Sequence, residues 1–235
     1  MEEGEHTINA KQFPEIPNHV EISDFNTIYD GSNFIHPTAI ISSGVELGKG
    51  NFIGAYCIIR GKTKIGDNNK FHSFCSVGSE PEHKEHWHNT DNKGTIIGNN
   101  CMFREFITIN AGCENPTIIE DDVIMLRGSH VGHDSKIMRN ATISCNVLIG
   151  GHSLIGIFAN MGLGSVCHQY SRIPHYCMIG MNSTLTKKFT KDANAFQKYA
   201  GTPAKHLGMN AYWAQHFTQD DIRRIIEEFE KETLI

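Results

Sequence analysis

Residues 131–155 read VGHDSKIMRNATISCNVLIGGHSLI and place an aliphatic side chain at every sixth position. The same six-residue period occupies most of the chain. Its apolar anchors are Ile35, Ile41, Leu47, Ile53, Ile59, Ile65, Phe71, Val77, Ile97, Phe103, Ile109, Ile119, Met125, Val131, Ile137, Ile143, Ile149, Ile155, Met161, Cys167, Ile173, Ile179 and Leu185. Self-similarity of this length predicts a β-solenoid, in which each repeat packs on its neighbours.

The residues around each anchor favour short strands and tight corners. A glycine often follows the anchor, as at Gly54, Gly132 and Gly150, and the fifth position is usually small or apolar, as at Ala141 and Val147. Two side chains in six therefore point inward. This pattern resembles the hexapeptide repeat of left-handed parallel β-helices, and the resemblance implies three hexads, or 18 residues, in each triangular coil. The expected fold is all-β, a left-handed parallel β-helix with a short C-terminal α-helical segment.

The period divides the chain into three parts. We expect an N-terminal extension over residues 1–21, the β-helix over residues 22–189, and a C-terminal turn and helix cap over residues 190–235. Ile22 and Ile28 predict a partial extra coil at the start of the β-helix.

A helix is predicted after Thr218. This residue is a suitable N-cap, with Asp221 three positions later. The i, i+3, i+4, i+7 apolar stripe consists of Ile222, Ile225, Ile226 and Phe229. We expect this helix to cover the open last coil, because unpaired strand edges invite aggregation.

Composition excludes several classes of partner. The chain has 235 residues and a formal net charge of −5 without a run of Lys or Arg, which argues against nucleic acid and anionic membranes. Neither a membrane-spanning apolar stretch nor an N-terminal signal peptide is evident, so a cytoplasmic protein is expected. The seven cysteines form no CxxC pair and are expected to be reduced core thiols.

Two insertions interrupt the period. Fourteen residues are added between Val77 and Ile97, where residues 79–94 read SEPEHKEHWHNTDNKG and include Trp87. Loops that project from a rigid scaffold often carry binding groups, so residues 79–94 are a candidate lid or a clasp on a neighbouring chain. Four further residues are added around Cys113-Glu114-Asn115-Pro116.

Histidines concentrate where the repeat is most regular. The segments that contain them are Ser129-His130-Val131-Gly132-His133-Asp134, Gly150-Gly151-His152 and Val166-Cys167-His168-Gln169. With 18 residues in each coil, His152 lies over Asp134, and Gln169 lies two coils over His133. The set therefore converges on one edge of the prism, and histidine is the side chain that exchanges protons near neutral pH.

These segments, together with Phe34-Ile35-His36-Pro37-Thr38-Ala39-Ile40 and Gly208-Met209-Asn210, resemble the UDP-N-acetylglucosamine O-acyltransferase family over about residues 34–226. The resemblance implies a homotrimer with active sites in the grooves between neighbouring β-helices. It also implies that His133 is the general base, that Asp134 orients it, and that the Gly151 N–H binds the oxyanion. The implied substrate-binding residues are His130, His152, His168, Gln169 and Asn210.

The chain departs from the family at its substrate contacts. Only Lys84 is a shifted substitute for the family's glutamine, aspartate and lysine in the first loop. The family's arginine pair after the position of Asn210 is missing, and Tyr212 and Trp213 could stack on a base or pack against the last coil. Met181 falls where the family limits acyl length, so a bulky side chain there implies a shorter acyl group.

The sequence thus predicts an acyltransferase of lipopolysaccharide or glycan biosynthesis. It would move a short or medium acyl group, including 3-hydroxyacyl groups, from a CoA or acyl-carrier-protein thioester to a nucleotide-linked sugar. No bound cofactor, metal or covalent nucleophile is required by this chemistry. The alternatives are N-acylation of a nucleotide-linked amino sugar, a γ-type zinc carbonic anhydrase with three histidines from two subunits, and a non-catalytic trimeric scaffold.

Overall fold

The computed structural model describes residues 28–29, 32–86, 91–186 and 193–231. In these residues the chain winds as a triangular prism whose three faces are β-sheets, here called sheets A, B and C. Successive hexads contribute to A, B and C in turn, so that each sheet receives one short strand from every coil.

The strands of each sheet lie side by side in the order of the coils. Sheet A contains Ile28–Tyr29, Phe34–Ile35, Phe52–Ile53, Lys70–Phe71, Met102–Phe103, Ile124–Met125, Thr142–Ile143, Asn160–Met161, Met178–Ile179, Gln197–Ala200 and Lys205–Met209. Sheet B contains Ile40–Ile41, Ile58–Ile59, Ser76–Ser79, Thr108–Asn110, His130–Val131, Leu148–Ile149, Val166–Cys167 and Thr184–Leu185. Sheet C contains Glu46–Leu47, Thr63–Ile65, Thr95–Ile97, Thr117–Ile119, Lys136–Ile137, Leu154–Ile155 and Arg172–Ile173.

The register confirms the 18-residue coil. Val131 pairs with Ile149 in parallel, and Ile149 pairs with Cys167. Across the longer insertion Val77 pairs with Ile109, so the ladder continues as though the inserted residues were absent. The pairing then slips by one residue, so that Asn110 lies opposite Ser79, and the insertions leave the prism at this local irregularity.

The anchors form the core. Those from Ile53 to Leu185 are buried in one continuous cluster, together with fifth-position side chains such as Val147 and Ala159. All seven cysteines are free thiols, and six are buried, whereas Cys145 is only half-buried. Burial of about 0.8 kcal/mol per methylene, repeated in every coil, is the main source of stability for such a thin body.

Both insertions leave from the same edge of the prism. The turns between sheets B and C, at residues 132–135, 150–153 and 168–171, form what we call the B/C edge. Residues 80–86 and 91–94, the described parts of the longer insertion, and residues 111–116 leave from the same place in the two preceding coils. The chain thus stacks its two irregular loops directly beside the histidine-bearing corners.

The C-terminal region differs from the expected cap. Gln197–Ala200 continues sheet A in parallel and pairs antiparallel with Lys205–Met209, so a hairpin, not the helix, covers the end of sheet A. Two helices follow, α1 (Ala211–Ala214) and α2 (Gln219–Lys231).

Helix α2 lies along the flank of the prism. Phe229 packs on Met138 and Leu154, and the Arg172 guanidinium donates to its carbonyl oxygen at 2.9 Å. The predicted N-cap is confirmed, because Thr218 Oγ1 accepts from the Asp221 N–H at 3.2 Å. The predicted placement of the helix over the open last coil was wrong, because Phe229 of its apolar stripe packs on the flank of the prism instead.

The described part of the predicted partial extra coil, at Ile28, does not continue the parallel stacking of the coils. Ile28–Tyr29 pairs antiparallel with Phe34–Ile35, which gives the first coil a short hairpin edge. Ile22, the predicted extension over residues 1–21 and Trp87 lie outside the described residues. No helix in the described part of the chain has the length and apolarity needed to cross a membrane.

Candidate active site

His133 and Asp134 form a buried pair on the B/C edge. The Nδ1 atom of His133 lies 2.7 Å from Oδ2 of Asp134, and both side chains are almost wholly shielded from water. With Asp134 ionised, Nδ1 of His133 carries the proton, and this N–H donates a hydrogen bond to the carboxylate. The Nε2 atom is then the basic nitrogen, and within the described residues it accepts or donates no hydrogen bond.

The backbone turn sets this geometry. Asp134 has a φ of +59°, in the left-handed region that most corners of this prism use. Aspartate and asparagine tolerate that conformation better than most residues. The corner turns the carboxylate back toward the preceding coil, where the shorter insertion lies.

That insertion surrounds the Asp134 carboxylate with hydrogen-bond donors. Oδ1 accepts from the N–H groups of Glu114 at 2.8 Å and Asn115 at 2.6 Å, and Oδ2 accepts from the Cys113 N–H at 2.9 Å. Burial by itself would raise the pKa of the Asp134 carboxyl, but the hydrogen bonds from His133 and from Cys113 and Asn115 outweigh it and hold that pKa well below its ordinary value. Asp134 is therefore a fixed anion.

Cys113 is a site residue that sequence reasoning missed. Its Sγ lies 2.9 Å from Oδ2 of Asp134 and 3.3 Å from Nδ1 of His133. Burial first, and then the adjacent Asp134 carboxylate, raise the pKa of the Cys113 thiol to about 12. The thiol is thus a donor to Asp134 and a poor nucleophile. The signal that could have found it is the four-residue insertion, which leaves the prism one coil before His133.

Gly151 lies directly against the imidazole. A Cβ atom at this position would stand 2.7 Å from Nε2 and 2.8 Å from Cε1 of His133, closer than real Cβ contacts. A side chain at residue 151 would therefore displace the ring. In the described chain the Gly151 N–H donates no hydrogen bond, so it is available next to the basic nitrogen.

His152 borders the pair on the following coil. Its Nε2 is 4.0 Å from Oδ2 of Asp134, its ring meets that of His133 edge-on at 5.1 Å, and it stacks on Tyr170 at 4.6 Å. Burial lowers the pKa of His152, and the negative charge of Asp134 opposes that shift. A neutral His152 can donate or accept a hydrogen bond without adding charge.

His130 lies on sheet B beside the same edge. Its Nδ1 is 2.8 Å from Thr108 Oγ1, and its Nε2 is 3.7 Å from the Glu82 carboxylate. Burial lowers the pKa of His130, and Glu82 opposes the change.

The described part of the longer insertion folds over the histidines. Glu80 pairs with Arg60 at 2.6 Å, and the carbonyl oxygen of Glu80 accepts from Asn110 at 3.0 Å. The following Pro81 is buried, and the ring of His83 meets that of His133 edge-on at 5.5 Å. His83 is thus a second wall residue that sequence reasoning did not single out.

Five of the predicted site residues do not join the pair within one chain. His168 and Gln169 are on the B/C edge but exposed, and Lys84 is exposed on the longer insertion. Met181 is exposed in a turn between sheets A and B. Asn210 is buried and donates to the Tyr176 carbonyl at 2.8 Å, a structural contact at the edge between sheets C and A.

The aromatic residues after Asn210 have separate surroundings. Trp213 packs against the rings of Phe158 at 4.7 Å and Tyr176 at 5.4 Å, whereas Tyr212 is exposed. The sequence left stacking on a base and packing on the prism as alternatives for Tyr212 and Trp213, and Trp213 packs on the prism.

Known proteins share both the repeat and the fold. The family described as bacterial transferase hexapeptide (six repeats) matches residues 44–79. An acyl-[acyl-carrier-protein]–UDP-N-acetylglucosamine O-acyltransferase of Campylobacter concisus is 32% identical over 65% of this chain and 66% of its own length. The protein of the same name from Bartonella henselae is 30% identical over 75% of this chain and 70% of its own length. The chain belongs to the UDP-N-acetylglucosamine O-acyltransferase family.

The solved structure of the UDP-N-acetylglucosamine acyltransferase from Campylobacter jejuni supports the same relationship, with a TM-score of 0.69 at 27% identity over 85% of this chain and 86% of that one. Membership in the family confirms the predictions of a hexapeptide-repeat left-handed β-helix and of an acyltransferase. The matched part spans about two thirds of the length of the two curated relatives.

Proposed function

We propose that the protein transfers an acyl group from a thioester to a hydroxyl of a nucleotide-linked sugar, with His133 as the general base. One observation carries the proposal. The buried Nδ1 of His133 is held by Asp134 at 2.7 Å, which leaves Nε2 as the basic nitrogen beside the Gly151 N–H, a group that donates no hydrogen bond within the described residues.

The reaction needs these groups in this arrangement. A sugar hydroxyl is a weak nucleophile until a base removes its proton, and such a base contributes about 10²–10⁴-fold to the rate. Nε2 of His133 takes that proton as the oxygen attacks the thioester carbon, and the imidazolium then protonates the departing thiolate. Asp134 stabilises the imidazolium, and it stays ionised because its low pKa prevents it from taking the proton itself.

Gly151 supplies the second element of the reaction. Its N–H is directed to the developing oxyanion of the tetrahedral intermediate, a contact worth roughly 3 kcal/mol in comparable sites. No covalent acyl-enzyme is needed. Cys113 is the one thiol beside the pair among the described residues, and its raised pKa keeps it protonated at neutral pH.

The relatives indicate the substrates. The proteins from Campylobacter concisus and Bartonella henselae are named for an acyl-carrier-protein donor and a UDP-N-acetylglucosamine acceptor. We assign this chain the same donor and acceptor classes, with CoA thioesters as the alternative donor. The bulk of Met181 favours a short or medium acyl chain.

A homotrimer would complete the site. Tyr56, Phe74 and Phe106 stack along the edge between sheets A and B at 5.2 and 5.0 Å, yet they are 57, 46 and 51% exposed. An aromatic ladder of this kind is typical of a surface that another protein covers. If it meets the B/C edge of a neighbour, Met181 on the same edge enters the groove beside His133. Seven free thiols fit the cytoplasm as the compartment.

The oligomer is tested by Phe74→Glu. Placing a charge in the aromatic ladder should convert trimers to monomers in sedimentation velocity experiments, because burying an unpaired carboxylate is costly. Ile96→Glu is the matched control, since Ile96 is an exposed apolar residue on sheet C. A trimeric Phe74→Glu protein would contradict the proposed interface.

The activity is tested by thiol release from acyl-carrier-protein and acyl-CoA thioesters of graded length, with UDP-N-acetylglucosamine and nucleotide-linked amino sugars as acceptors. His133→Ala should reduce hydroxyl acylation by about 10²–10⁴-fold. His206→Ala is the control, because His206 is exposed and contacts Gln197 far along the chain from the pair. Turnover of amino sugars alone, with little effect of His133→Ala, would establish N-acylation instead. Absence of turnover with every acceptor would support a scaffold.

A further inference from the structure

Four metal-binding side chains meet at the B/C edge. One ligand atom from each of Cys113, His133, Asp134 and His152 lies within 4.8 Å of all the others, and all four residues are buried. The general acid–base pair needs only two of them. Removal of the hydroxyl proton uses neither the Cys113 thiol nor the His152 imidazole directly, and both are good metal ligands.

The atoms are close to a coordination geometry. Sγ of Cys113, Nδ1 of His133 and Oδ2 of Asp134 form a triangle with sides of 2.7, 2.9 and 3.3 Å. Nε2 of His152 faces this triangle at 4.0 Å from Oδ2. In tetrahedral zinc sites the bond lengths place ligand atoms about 3.3–3.6 Å apart, so each of these atoms needs to move by less than about 1 Å.

The ligand types of these four side chains indicate which metal ion would bind. A thiolate and two imidazoles favour Zn²⁺ over Mg²⁺ or Ca²⁺, which prefer oxygen ligands. The other oxygen of Asp134 is already fixed by the Glu114 and Asn115 N–H groups, and such outer contacts orient a ligating carboxylate.

We propose that Cys113, His133, Asp134 and His152 form a Zn²⁺ site whose occupancy switches the general base off. On binding, the Cys113 thiol loses its proton to solvent and a Zn–S bond forms. His133 coordinates through Nδ1, and its proton moves to Nε2 by tautomer exchange through solvent. The imidazole stays neutral, so one proton is released for each ion bound. Nε2 then presents an N–H to the substrate hydroxyl and can no longer accept its proton.

This ligand set comes from one chain. It differs from the three histidines of two subunits considered for a carbonic anhydrase, because it includes a thiolate and a carboxylate and it consumes the general base. The site itself does not depend on the proposed acyl transfer, although the consequence for catalysis rests on it.

Equilibrium dialysis of the full chain against micromolar zinc sulfate tests the site. We expect one Zn²⁺ per chain in the wild type and in Cys145→Ser, a half-buried cysteine at another edge. Cys113→Ser keeps a hydroxyl donor for Asp134 but removes the soft ligand, and it should weaken binding by more than the roughly 10–100-fold that loss of an outer partner costs. Cobalt substitution should show a thiolate-to-metal absorption band that Cys113→Ser lacks.

Binding of less than one Zn²⁺ per wild-type chain would overturn the proposed site. Equal affinities of the wild type and Cys113→Ser for Zn²⁺ would overturn it as well. Zn²⁺ should also inhibit thiol release by the wild type far more than by Cys113→Ser, when the rate of each protein is compared with its own rate without zinc. Stoichiometric binding without inhibition of an active enzyme would overturn the tautomer switch. Dialysis gives its answer even if no acyl acceptor is found, so failure of the proposed function and failure of the metal site remain distinguishable.

Discussion

Replacing Asp134 by asparagine tests the central pair most directly. The carboxylate accepts hydrogen bonds from His133 Nδ1, from the thiol and N–H of Cys113, and from the N–H groups of Glu114 and Asn115. A carboxamide has one acceptor oxygen. If that oxygen keeps the two hydrogen bonds that Oδ1 accepts from the backbone, the amide NH₂ takes the place of Oδ2. The NH₂ group would then face the donors of Cys113 and His133, with which it cannot form the same hydrogen bonds.

Two consequences follow from this mismatch. His133 can keep a hydrogen bond only by accepting at Nδ1, which puts its proton on Nε2 and removes the base. We therefore expect kcat to fall by about 10²–10⁴-fold, as a carboxylate-to-carboxamide change does in a Ser-His-Asp triad. The Cys113 N–H loses its partner in a buried place, which should lower the free energy of unfolding by about 1–3 kcal/mol.

The assay is steady-state thiol release with a hydroxyl acceptor, accompanied by urea unfolding to show that the variant is folded. Asp122→Asn is the matched control, because Asp122 occupies the same left-handed corner position two hexads earlier, with a φ of +58°, and is exposed. An Asp134→Asn enzyme with kcat within tenfold of the wild type would refute the tautomer argument.

Three further predictions concern the same edge. Gly151→Ala should lower kcat by about 10²-fold, because the new Cβ would push the His133 imidazole out of position. Gly156→Ala is the control, because a Cβ there would lie at the same 2.7 Å from an imidazole atom, Nδ1 of His175, at another edge of the prism. This control variant should lower stability and leave kcat unchanged. Cys113→Ala should lower kcat by about two- to tenfold through loss of one hydrogen bond to Asp134, and the serine variant should restore it; an unchanged alanine variant would exclude the thiol as a positioning group. The folded-state pKa of Asp134 lies below the value of about 3.9 in an unfolded chain, so its stabilisation is complete above that pH and is lost as the pH falls toward the folded-state pKa. The difference in free energy of unfolding between the wild type and Asp134→Asn, measured in urea, should therefore shrink on acidification, and a difference that grows would contradict the assignment.

The repeat made most of the fold predictable. The spacing of anchors such as Ile137 and Ile143 fixes which side chains point inward, and each coil packs only on its neighbours, so local spacing sets the global register. The 18-residue step thus placed His152 beside Asp134 correctly. Helix α2 was predicted with its cap, but its position was not, because an amphipathic stripe specifies an apolar partner without specifying which one.

The sequence by itself determined the solenoid and the edge on which the histidines meet, because both depend on periodic spacing, whereas the pairing of His133 with Asp134 was implied by the family resemblance. Only the tertiary structure decided what surrounds that pair. Cys113 and the backbone donors of residues 113–115 belong to an insertion without a period, and so does the loop that brings His83 to the imidazole. Their paths are set by contacts across coils, above all by the need of a buried carboxylate for donors, and no local pattern encodes such contacts.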